Sequence, residues 1–228
     1  MALFYPACAI MYAEMSKYNI IERMLNPGVV AVIRADSSEQ LMDVARALAA
    51  GGVTVMEVTM TTPNALEVIT AVRKELGDAI LMGVGTVLDA ETTRMAILAG
   101  AQFAVSPVMK TEIIAMCRRY SVPIVCGAYT PTEALTAHEA GADFIKIFPA
   151  DGLGPNYIKA LKAPLPQLQI IPTGGVDLNT AGEFIKAGCA AVAAGSSLVS
   201  KEVLKNKDWA ALTQTARAFV AAVAKARG

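Results

Sequence analysis

Short apolar runs recur along the chain from residue 29 onward, and each is followed by a loop and then by a helix-like pattern. Because the apolar positions in each run are continuous, the runs are typical of strands that are buried on both faces of a parallel sheet. Eight such runs begin 20 to 27 residues apart: VVAVIRA (29–35), VTVMEVTM (53–60), ILMGVGTV (80–87), FAVSPV (103–108), PIVCGAY (123–129), FIKIFPA (144–150), QIIPTGG (169–175) and AAVAAGSSL (190–198).

Helix signals lie between these runs. Residues 37–50 begin with a candidate N-cap serine and stop at two glycines, and Thr130-Pro131 combines an N-cap with a proline at the first helical position. Further helices are predicted over residues 16–26 and 208–226. An Ala-Gly pair, in which Gly suits the left-handed end of a helix, precedes four of the strands, at 50–51, 99–100, 140–141 and 187–188.

Eight strand–helix units of this length predict an α/β protein with a closed (β/α)8, or TIM, barrel. An open doubly wound sheet is the alternative, but its usual G-x-G-x-x-G after the first strand is absent. No linker or change in composition divides the chain. We therefore expect a single barrel domain over residues 16–228, with an extra helix before the first strand and residues 1–15 as an N-terminal extension.

Composition narrows the range of partners. Lys plus Arg and Asp plus Glu number 20 each, so the net charge is zero, and no basic run indicates a nucleic-acid partner. An apolar content of 54% excludes a disordered chain. Residues 2–13 are apolar but too short to span a bilayer, and they lack the basic start of a signal peptide, so we expect no membrane association. The four scattered cysteines and single histidine predict buried thiols of a cytoplasmic protein and no metal site.

Three charged residues stand out within the apolar runs: Arg34, Glu57 and Lys146. Burying a charge without a partner is costly, so each of them needs a reason. All three lie in or near the later half of their run, and the active sites of these barrels lie at the C-terminal ends of the strands. The three side chains could therefore converge on one pocket.

Lys146 is the most informative of the three, because two Phe and two Ile residues surround it in sequence. Burial disfavours the charged ammonium and lowers the pKa of a lysine, and a neutral amine can attack a carbonyl to form a Schiff base. The alternative is a structural ion pair with Glu57 inside the barrel.

Glu57 and Arg34 each allow two interpretations. A carboxyl group between Met56 and Val58 would have a raised pKa and suit general acid–base work, or it would serve a structural ion pair. The planar guanidinium of Arg34 could hold a substrate carboxylate. Alternatively, Arg34 ends its strand by reaching into solvent.

Two glycine-containing turns follow the seventh and eighth runs, PTGGV (172–176) and GSS (195–197). In barrels of this kind the loops after these two strands often bind phosphate through backbone N–H groups, and glycine lets an anion approach closely. The alternative is that the glycines serve tight turns only. Thr86 and Pro107, which end the third and fourth strands, are candidates either for lining the same pocket or for core packing.

The chain resembles the 2-keto-3-deoxy-6-phosphogluconate (KDPG) and 4-hydroxy-2-oxoglutarate (KHG) aldolase family from about residue 20 to 223, most specifically in FPADGLGPNYIKALKAPLPQ (148–167). This resemblance implies a class I aldolase on a (β/α)8 barrel that needs no metal or cofactor. It also implies a small keto-acid phosphate as substrate and a homotrimer. The motifs that carry it occur in the family's order: EVT (57–59), GVGTV (83–87), SP (106–107), KIFPA (146–150), PTGGV (172–176) and GSS (195–197).

Carried over by motif, the resemblance makes Lys146 the Schiff-base lysine and Glu57 the acid–base glutamate. The residues around the pyruvyl part of the substrate would be Thr86, Pro107, Phe148 and Thr173. The residues of the phosphate site would be Gly174, Gly175, Gly195 and Ser196.

One position departs from a branch of the family that reads E-V-T-L-R-T, whose Arg helps to bind the substrate carboxylate. Thr61 stands at that position here, and we infer that Arg34 takes the role instead. The T-T-P variant at 61–63 partly resembles aldolases of the galactonate isomer.

The expected reaction is cleavage of KDPG to pyruvate and glyceraldehyde 3-phosphate. Cleavage of 4-hydroxy-2-oxoglutarate to pyruvate and glyoxylate and cleavage of the 6-phosphogalactonate isomer are alternatives. Outside this class, a sugar-phosphate isomerase or epimerase and a non-catalytic barrel that binds a phospho-ligand also remain, because fold alone does not determine function.

Overall fold

Eight parallel strands form the inner wall of the molecule, and helices surround them. The computed structural model describes residues 15–34 and 38–228. The strands are β1 (Val29–Ile33), β2 (Val55–Thr59), β3 (Leu81–Gly85), β4 (Ala104–Val105), β5 (Ile124–Ala128), β6 (Phe144–Ile147), β7 (Ile170–Pro172) and β8 (Val192–Ala194). The helices are α1 (Lys17–Leu25), α2 (Ser38–Ala50), α3 (Ala65–Leu76), α4 (Ala90–Leu98), α5 (Thr111–Arg119), α6 (Pro131–Glu139), α7 (Gly154–Lys162), α8 (Ala181–Lys186), α9 (Lys201–Asn206) and α10 (Trp209–Arg227), with a short 3-10 turn at Gly77–Ala79 before β3.

The strands follow one another around the barrel in chain order. Hydrogen-bonded neighbours run from β8 through β1 to β7, and a parallel bridge between Thr173 and Ala193 joins β7 to β8. Across the same seam the Ala190 amide donates to the Ile170 carbonyl at 2.9 Å. The predicted closed (β/α)8 barrel is therefore confirmed, and the alternative of an open doubly wound sheet is wrong.

Two apolar cores hold the barrel, because successive side chains of a strand point to opposite faces. The larger core lies between the strands and the surrounding helices. The smaller core fills the barrel interior and includes two residues of α1; its buried members are Ile20, Met24, Val30, Val55, Leu81, Phe103, Val105, Val125, Phe144, Ile171, Ala191 and Ala193.

Helix α1 closes one end of the barrel. The Ser16 side chain accepts a hydrogen bond from the Asn19 amide and caps the helix, and Ile20 and Met24 are buried in the inner core. Arg227, at the end of α10, donates to the carbonyl oxygens of Leu25 and other residues beside this end. The helix predicted over 16–26 is thus confirmed, and it seals the barrel at the end opposite the C-terminal ends of the strands.

Most of the predicted helix signals are found. Thr130 and Glu133 form a reciprocal capping box at the start of α6. The glycines that end α4, α6 and α8 have positive φ angles of 107°, 97° and 99°, as expected of a left-handed helix end: Gly100, Gly141 and Gly188.

The prediction for the first Ala-Gly pair is wrong. Gly52, with φ of 90°, takes the left-handed conformation after α2, and Gly51 does not. A Cβ on Gly51 would lie 2.4 Å from the Ala216 Cβ and 2.6 Å from the Thr213 carbonyl oxygen. Gly51 is therefore required by the close approach of α10 to α2.

No sequence signal had marked α9, which lies between β8 and the last helix and is capped by the Ser200 side chain. The predicted N-cap Ser37 lies outside the described residues, and so does the predicted extension, residues 1–15, apart from Met15. Within residues 15–34 and 38–228, the helices are all too short or too polar to cross a membrane.

Replacing Met24 with Ala tests the seal at the closed end. Met24 is fully buried, so Met24→Ala should leave a cavity and lower the free energy of unfolding by about 2–5 kcal/mol. Tyr18 on the same helix is 83% exposed, and Tyr18→Ala should change that free energy by at most about 0.5 kcal/mol. Urea unfolding followed by circular dichroism measures both, and equal losses in the two variants would contradict this role for α1.

Candidate active site

Two ionisable side chains lie inside the barrel on opposite parts of its wall. Glu57 of β2 pairs in register with Val32 of β1 and Gly83 of β3, and Lys146 of β6 pairs with Gly127 of β5. Both are buried, with 2% and 5% of their surface exposed. Glu57 lies two residues after the inner-core residue Val55 in β2, and Lys146 lies two residues after the inner-core residue Phe144 in β6. Both are therefore nearer to the C-terminal ends of the strands than the inner core is.

Glu57 is held where water cannot easily stabilise its charge. Burial raises the pKa of Glu57 above its ordinary value, although the positive charges of Lys146 and Arg34 oppose this rise. Lys146 and Arg34 therefore both act electrostatically on Glu57, as expected if the three converge on one pocket. Between the described residues Glu57 and Lys146 there is no ion pair within 4.0 Å, so the structural ion pair weighed as an alternative is not formed.

Glycine makes room for the carboxyl group of Glu57. A Cβ on Gly85, at the end of β3, would lie 2.8 Å from both Cδ and Oε1 of Glu57. Real Cβ atoms do not approach another atom so closely, so Gly85 is needed for Glu57 to occupy this position. The GVGTV motif thus shapes the site through the absence of a side chain at Gly85.

Phe148 connects Lys146 with the open part of the site. Lys146 Nζ lies 5.0 Å from the centroid of the Phe148 ring, within the range of a cation–π contact. Phe148 lines a cavity of about 990 Å³ and also a second one of about 480 Å³. The amine therefore lies directly beneath a side chain that faces both cavities.

The larger cavity opens at the C-terminal ends of the strands. Seven of the predicted site residues line it together: Arg34, Phe148, Thr173, Gly174, Gly175, Gly195 and Ser196. Such a cavity is large enough for a small phosphorylated sugar acid. The structure thus brings Arg34, two of the four residues predicted around the pyruvyl part, and both glycine turns around one space.

The two glycine turns differ in why they contain glycine. Gly174 and Gly175 have φ of 91° and 66°, and a Cβ on Gly175 would lie 2.6 Å from the Asp151 Cα, so the turn itself requires them. Gly195 has no positive φ, and its Cβ would meet nothing closer than 3.9 Å. Neither turn geometry nor packing explains Gly195, and its absent side chain leaves the backbone open to the cavity.

Thr173 presents an unused hydroxyl group to this cavity. Its Oγ1 is buried and makes no hydrogen bond with the protein. Leaving a buried hydroxyl unpaired is costly, and such groups commonly await a ligand or a water molecule. Thr173 is therefore well placed to bind a polar group of a substrate.

Four predicted residues are not among those that line the larger cavity: Glu57, Lys146, Thr86 and Pro107. Glu57 and Lys146 are buried in the barrel wall and line neither cavity. Pro107 lines the second cavity together with Gly127 and Phe148, and a Cβ on Gly127 would lie 2.2 Å from the Pro107 carbonyl carbon. Thr86 lines neither cavity. It has a φ of 60°, which is uncommon for a residue with a side chain and is often found at functional sites.

Several cavity residues had no predicted role: Gln40, Thr61, Thr62, Asp177, Lys201 and Lys205. The threonines follow the C-terminal end of β2, where the barrel fold alone could have placed them. Thr61 Oγ1 lies 2.8 Å from Thr59 Oγ1, so a hydroxyl chain runs from the strand of Glu57 to the cavity. Gln40 and the lysines belong to helices, and only the folded structure brings them to the site.

Comparison with known proteins agrees with this geometry. The sequence model of the family described as "Aldolase: KDPG and KHG aldolase" matches residues 20–215. The chain belongs to the KDPG and KHG aldolase family. The chain is thus an aldolase, a carbon–carbon lyase.

This aldolase is similar to relatives that are named for two different substrates. It is 36% identical to the 2-dehydro-3-deoxy-phosphogluconate aldolase of Treponema pallidum over 85% of this chain and 92% of that protein. It is also 36% identical to the 2-dehydro-3-deoxy-6-phosphogalactonate aldolase of Escherichia coli, over 75% of this chain and 83% of that protein. A crystal structure of the Legionella pneumophila KDPG aldolase, with pyruvate captured at low pH as a covalent carbinolamine intermediate, superposes with a TM-score of 0.82 at 29% identity, covering 90% of this chain and 98% of that one.

Gly85 offers a test of the site that removes none of its polar side chains. Gly85→Ala should push the Glu57 carboxyl group from its position and lower the aldol cleavage rate by about 100-fold, because displacement of a reacting group by an ångström has effects of that size. A Cβ on Gly152 would meet nothing within 4 Å, so Gly152→Ala is the matched control and should keep the rate. Unchanged turnover in folded Gly85→Ala protein would show that the position of Glu57 does not matter.

Proposed function

We propose that this aldolase is a class I enzyme that cleaves KDPG to pyruvate and glyceraldehyde 3-phosphate through a Schiff base on Lys146. The observation that carries the proposal is the buried Lys146 beside Phe148, with Glu57 coupled to it electrostatically inside the barrel. The Legionella pneumophila relative supports it, because pyruvate was captured there as a covalent carbinolamine.

The proposed reaction begins with bond formation at Lys146. The amine of Lys146 attacks the C2 ketone of the substrate, and the carbonyl oxygen takes up a proton to give a carbinolamine. Glu57 supplies a proton to the departing hydroxyl group, and loss of water leaves an iminium ion. The raised pKa of Glu57 suits this work, because a carboxyl group must be protonated near neutral pH in order to donate.

Cleavage then uses the iminium ion as an electron sink. The Glu57 carboxylate left by the dehydration takes the proton of the C4 hydroxyl, the C3–C4 bond breaks, its electron pair moves onto the iminium nitrogen as an enamine, and glyceraldehyde 3-phosphate departs. Protonation of the enamine at C3 and hydrolysis of the regenerated iminium release pyruvate and restore the amine of Lys146. Electrons and protons balance without a metal or a redox cofactor.

Different residues are proposed to bind the carboxylate and the phosphate of the substrate. Arg34 acts electrostatically on Glu57 and is the proposed ligand of the substrate carboxylate, and the resemblance adds Thr86 to it. The unpaired Thr173 hydroxyl lies beside the pyruvyl part. The backbone N–H groups around Gly174, Gly175, Gly195 and Ser196 hold the phosphate.

The 6-phosphogalactonate isomer is a second candidate substrate. The Escherichia coli relative named for that isomer supports it, and Thr61 lines the cavity where one branch of the family has an arginine. A hydroxyl-bearing residue at this point can select the configuration of a substrate hydroxyl group. The smaller 4-hydroxy-2-oxoglutarate is a further candidate, which lacks a phosphate.

We also propose a cytoplasmic homotrimer. The described cysteines Cys117, Cys126 and Cys189 are free buried thiols, which fits a reducing compartment. Exposed large apolar side chains are found on α4 and in the loops beside it, namely Leu88, Met95, Leu98 and Val108. Apolar surface of this kind is typical of contacts between copies of a chain.

Trapping with borohydride tests the Schiff base. Incubation with pyruvate followed by reduction should place a pyruvyl adduct on Lys146, mapped by mass spectrometry after digestion. Lys146→Met should abolish both the adduct and turnover. Lys159→Met, which changes a lysine on the outer helix α7, should keep both.

Glu57→Gln separates the acid–base step from the nucleophile in the same experiment. It retains the amine of Lys146, and turnover should fall by about 10²- to 10⁴-fold. Full activity in this variant would remove Glu57 from the mechanism. Folded wild-type protein that forms no adduct would exclude the class I reaction and favour an isomerase or a non-catalytic barrel.

The molecular mass of the protein in solution tests the proposed homotrimer. Sedimentation equilibrium should give three times the 23.9 kDa chain mass for the wild-type protein. A Met95→Glu and Leu98→Glu double variant should dissociate, because it buries two carboxylates in the proposed contact. Tyr18→Glu, at an exposed position of α1, is the control and should keep the trimer. A monomeric wild-type protein would exclude the proposed assembly.

A further inference from the structure

The outer wall of the larger cavity carries cationic side chains that the proposed mechanism does not use. Lys201 and Lys205 are four residues apart on α9, so they lie on the same face of the helix, and both line the cavity with Leu204. Gln40 Nε2 of α2 donates to the Leu204 carbonyl at 3.4 Å and joins the two helices beside the cavity.

The charges around the cavity are mainly positive. Among the described lining residues, Arg34, Lys201 and Lys205 are cationic and Asp177 is anionic. The Asp177 carboxylate is already engaged, because its Oδ1 accepts hydrogen bonds from the Asn179 and Thr180 amides at 2.8 and 2.9 Å. These hydrogen bonds also lower the pKa of Asp177.

The two lysines keep their charges available for a ligand. Neither forms an ion pair with any residue in the described part of the chain. Glu39 and Glu202 belong to the same two helices, but they are not among the residues that line the cavity. An anion in the outer part of the cavity would therefore meet two exposed ammonium groups.

The cations fall into two sets along the cavity. Arg34 is close enough to the buried carboxyl of Glu57 to affect its pKa. Lys201 and Lys205 lie on the helix that follows the Gly195-Ser196 turn, at the exposed rim. One set thus suits an anionic group near the reacting lysine, and the other suits an anionic group at the far end of a substrate.

We propose that Lys201 and Lys205 bind the substrate phosphate from the outer side and make this site select phosphorylated keto acids over unphosphorylated ones. The inference rests on the proposed function and extends its phosphate site from backbone N–H groups to two side chains. A lysine ammonium is a mobile point charge that suits a phosphate dianion in an exposed position.

A comparison of substrates tests the selection. The ratio of kcat/KM for KDPG to kcat/KM for 4-hydroxy-2-oxoglutarate should fall by about 10- to 100-fold in Lys201→Gln/Lys205→Gln, because two charge-assisted contacts to phosphate are lost. The wild-type KM for KDPG should also rise with ionic strength more steeply than that of the variant, since exposed charges are screened by salt. Lys186→Gln/Lys225→Gln removes the same charge from α8 and α10 and should leave the ratio unchanged.

Phosphate binding provides a readout that does not need turnover. The Kd of inorganic phosphate, measured by ³¹P NMR titration of folded protein, should increase in Lys201→Gln/Lys205→Gln and stay constant in the control. If the wild type turns over substrate while the ratio and the phosphate Kd are unchanged in the variant, the lysines have no such role. An equal decrease of kcat/KM for KDPG and for 4-hydroxy-2-oxoglutarate in Lys201→Gln/Lys205→Gln also overturns the proposal. If the wild type cleaves neither substrate yet the variant binds phosphate more weakly, the aldolase reaction fails and the phosphate site stands.

Discussion

The cost of placing ionisable groups inside an apolar barrel governs the site. Lys146 and Glu57 are both nearly free of solvent contact, and desolvation is strong enough to outweigh two nearby positive charges in setting the pKa of Glu57. The barrel tolerates this free-energy cost because its parallel strands and its apolar inner core are complete on the N-terminal side of the two residues. Rigid strands then hold the two groups at fixed positions, where the raised pKa of Glu57 serves chemistry rather than stability.

Glycines position the site as much as its polar residues do. Gly85 admits the Glu57 carboxyl group, and Gly127 admits the backbone of Pro107 beside the strand of Lys146. Gly195 differs from both, because neither packing nor backbone conformation requires it. Glycine in this barrel therefore serves close packing around Glu57 and the strand of Lys146, and it leaves the backbone open at the cavity.

The sequence was sufficient for the barrel and for seven of the eleven candidate site residues, which the structure brings around one cavity, because these depend on local patterns. A continuous apolar run indicates a buried strand by itself, and a charge within such a run, as at Lys146, is visible without knowledge of the fold. Gly51 was misassigned because its reason is contact with α10, which lies more than 150 residues away in the chain. Lys201, Lys205 and Gln40 carried no signal for the same reason, since exposed helix residues acquire meaning only from the cavity that they face. The left-handed conformation of Thr86 is likewise a property of the folded backbone.

The seal formed by α1 closes one end of the barrel. Ile20 and Met24 fill the end away from the cavities, so in the part of the chain that the structure describes the interior opens towards the C-terminal ends of the strands. In the proposed reaction the aldehyde fragment lies towards that opening, while the pyruvyl fragment is still bonded to Lys146 beneath it. Release is therefore ordered: the phosphorylated aldehyde leaves first, and only then can water reach the iminium carbon and free the second product. In the synthetic direction the same geometry requires pyruvate to enter first.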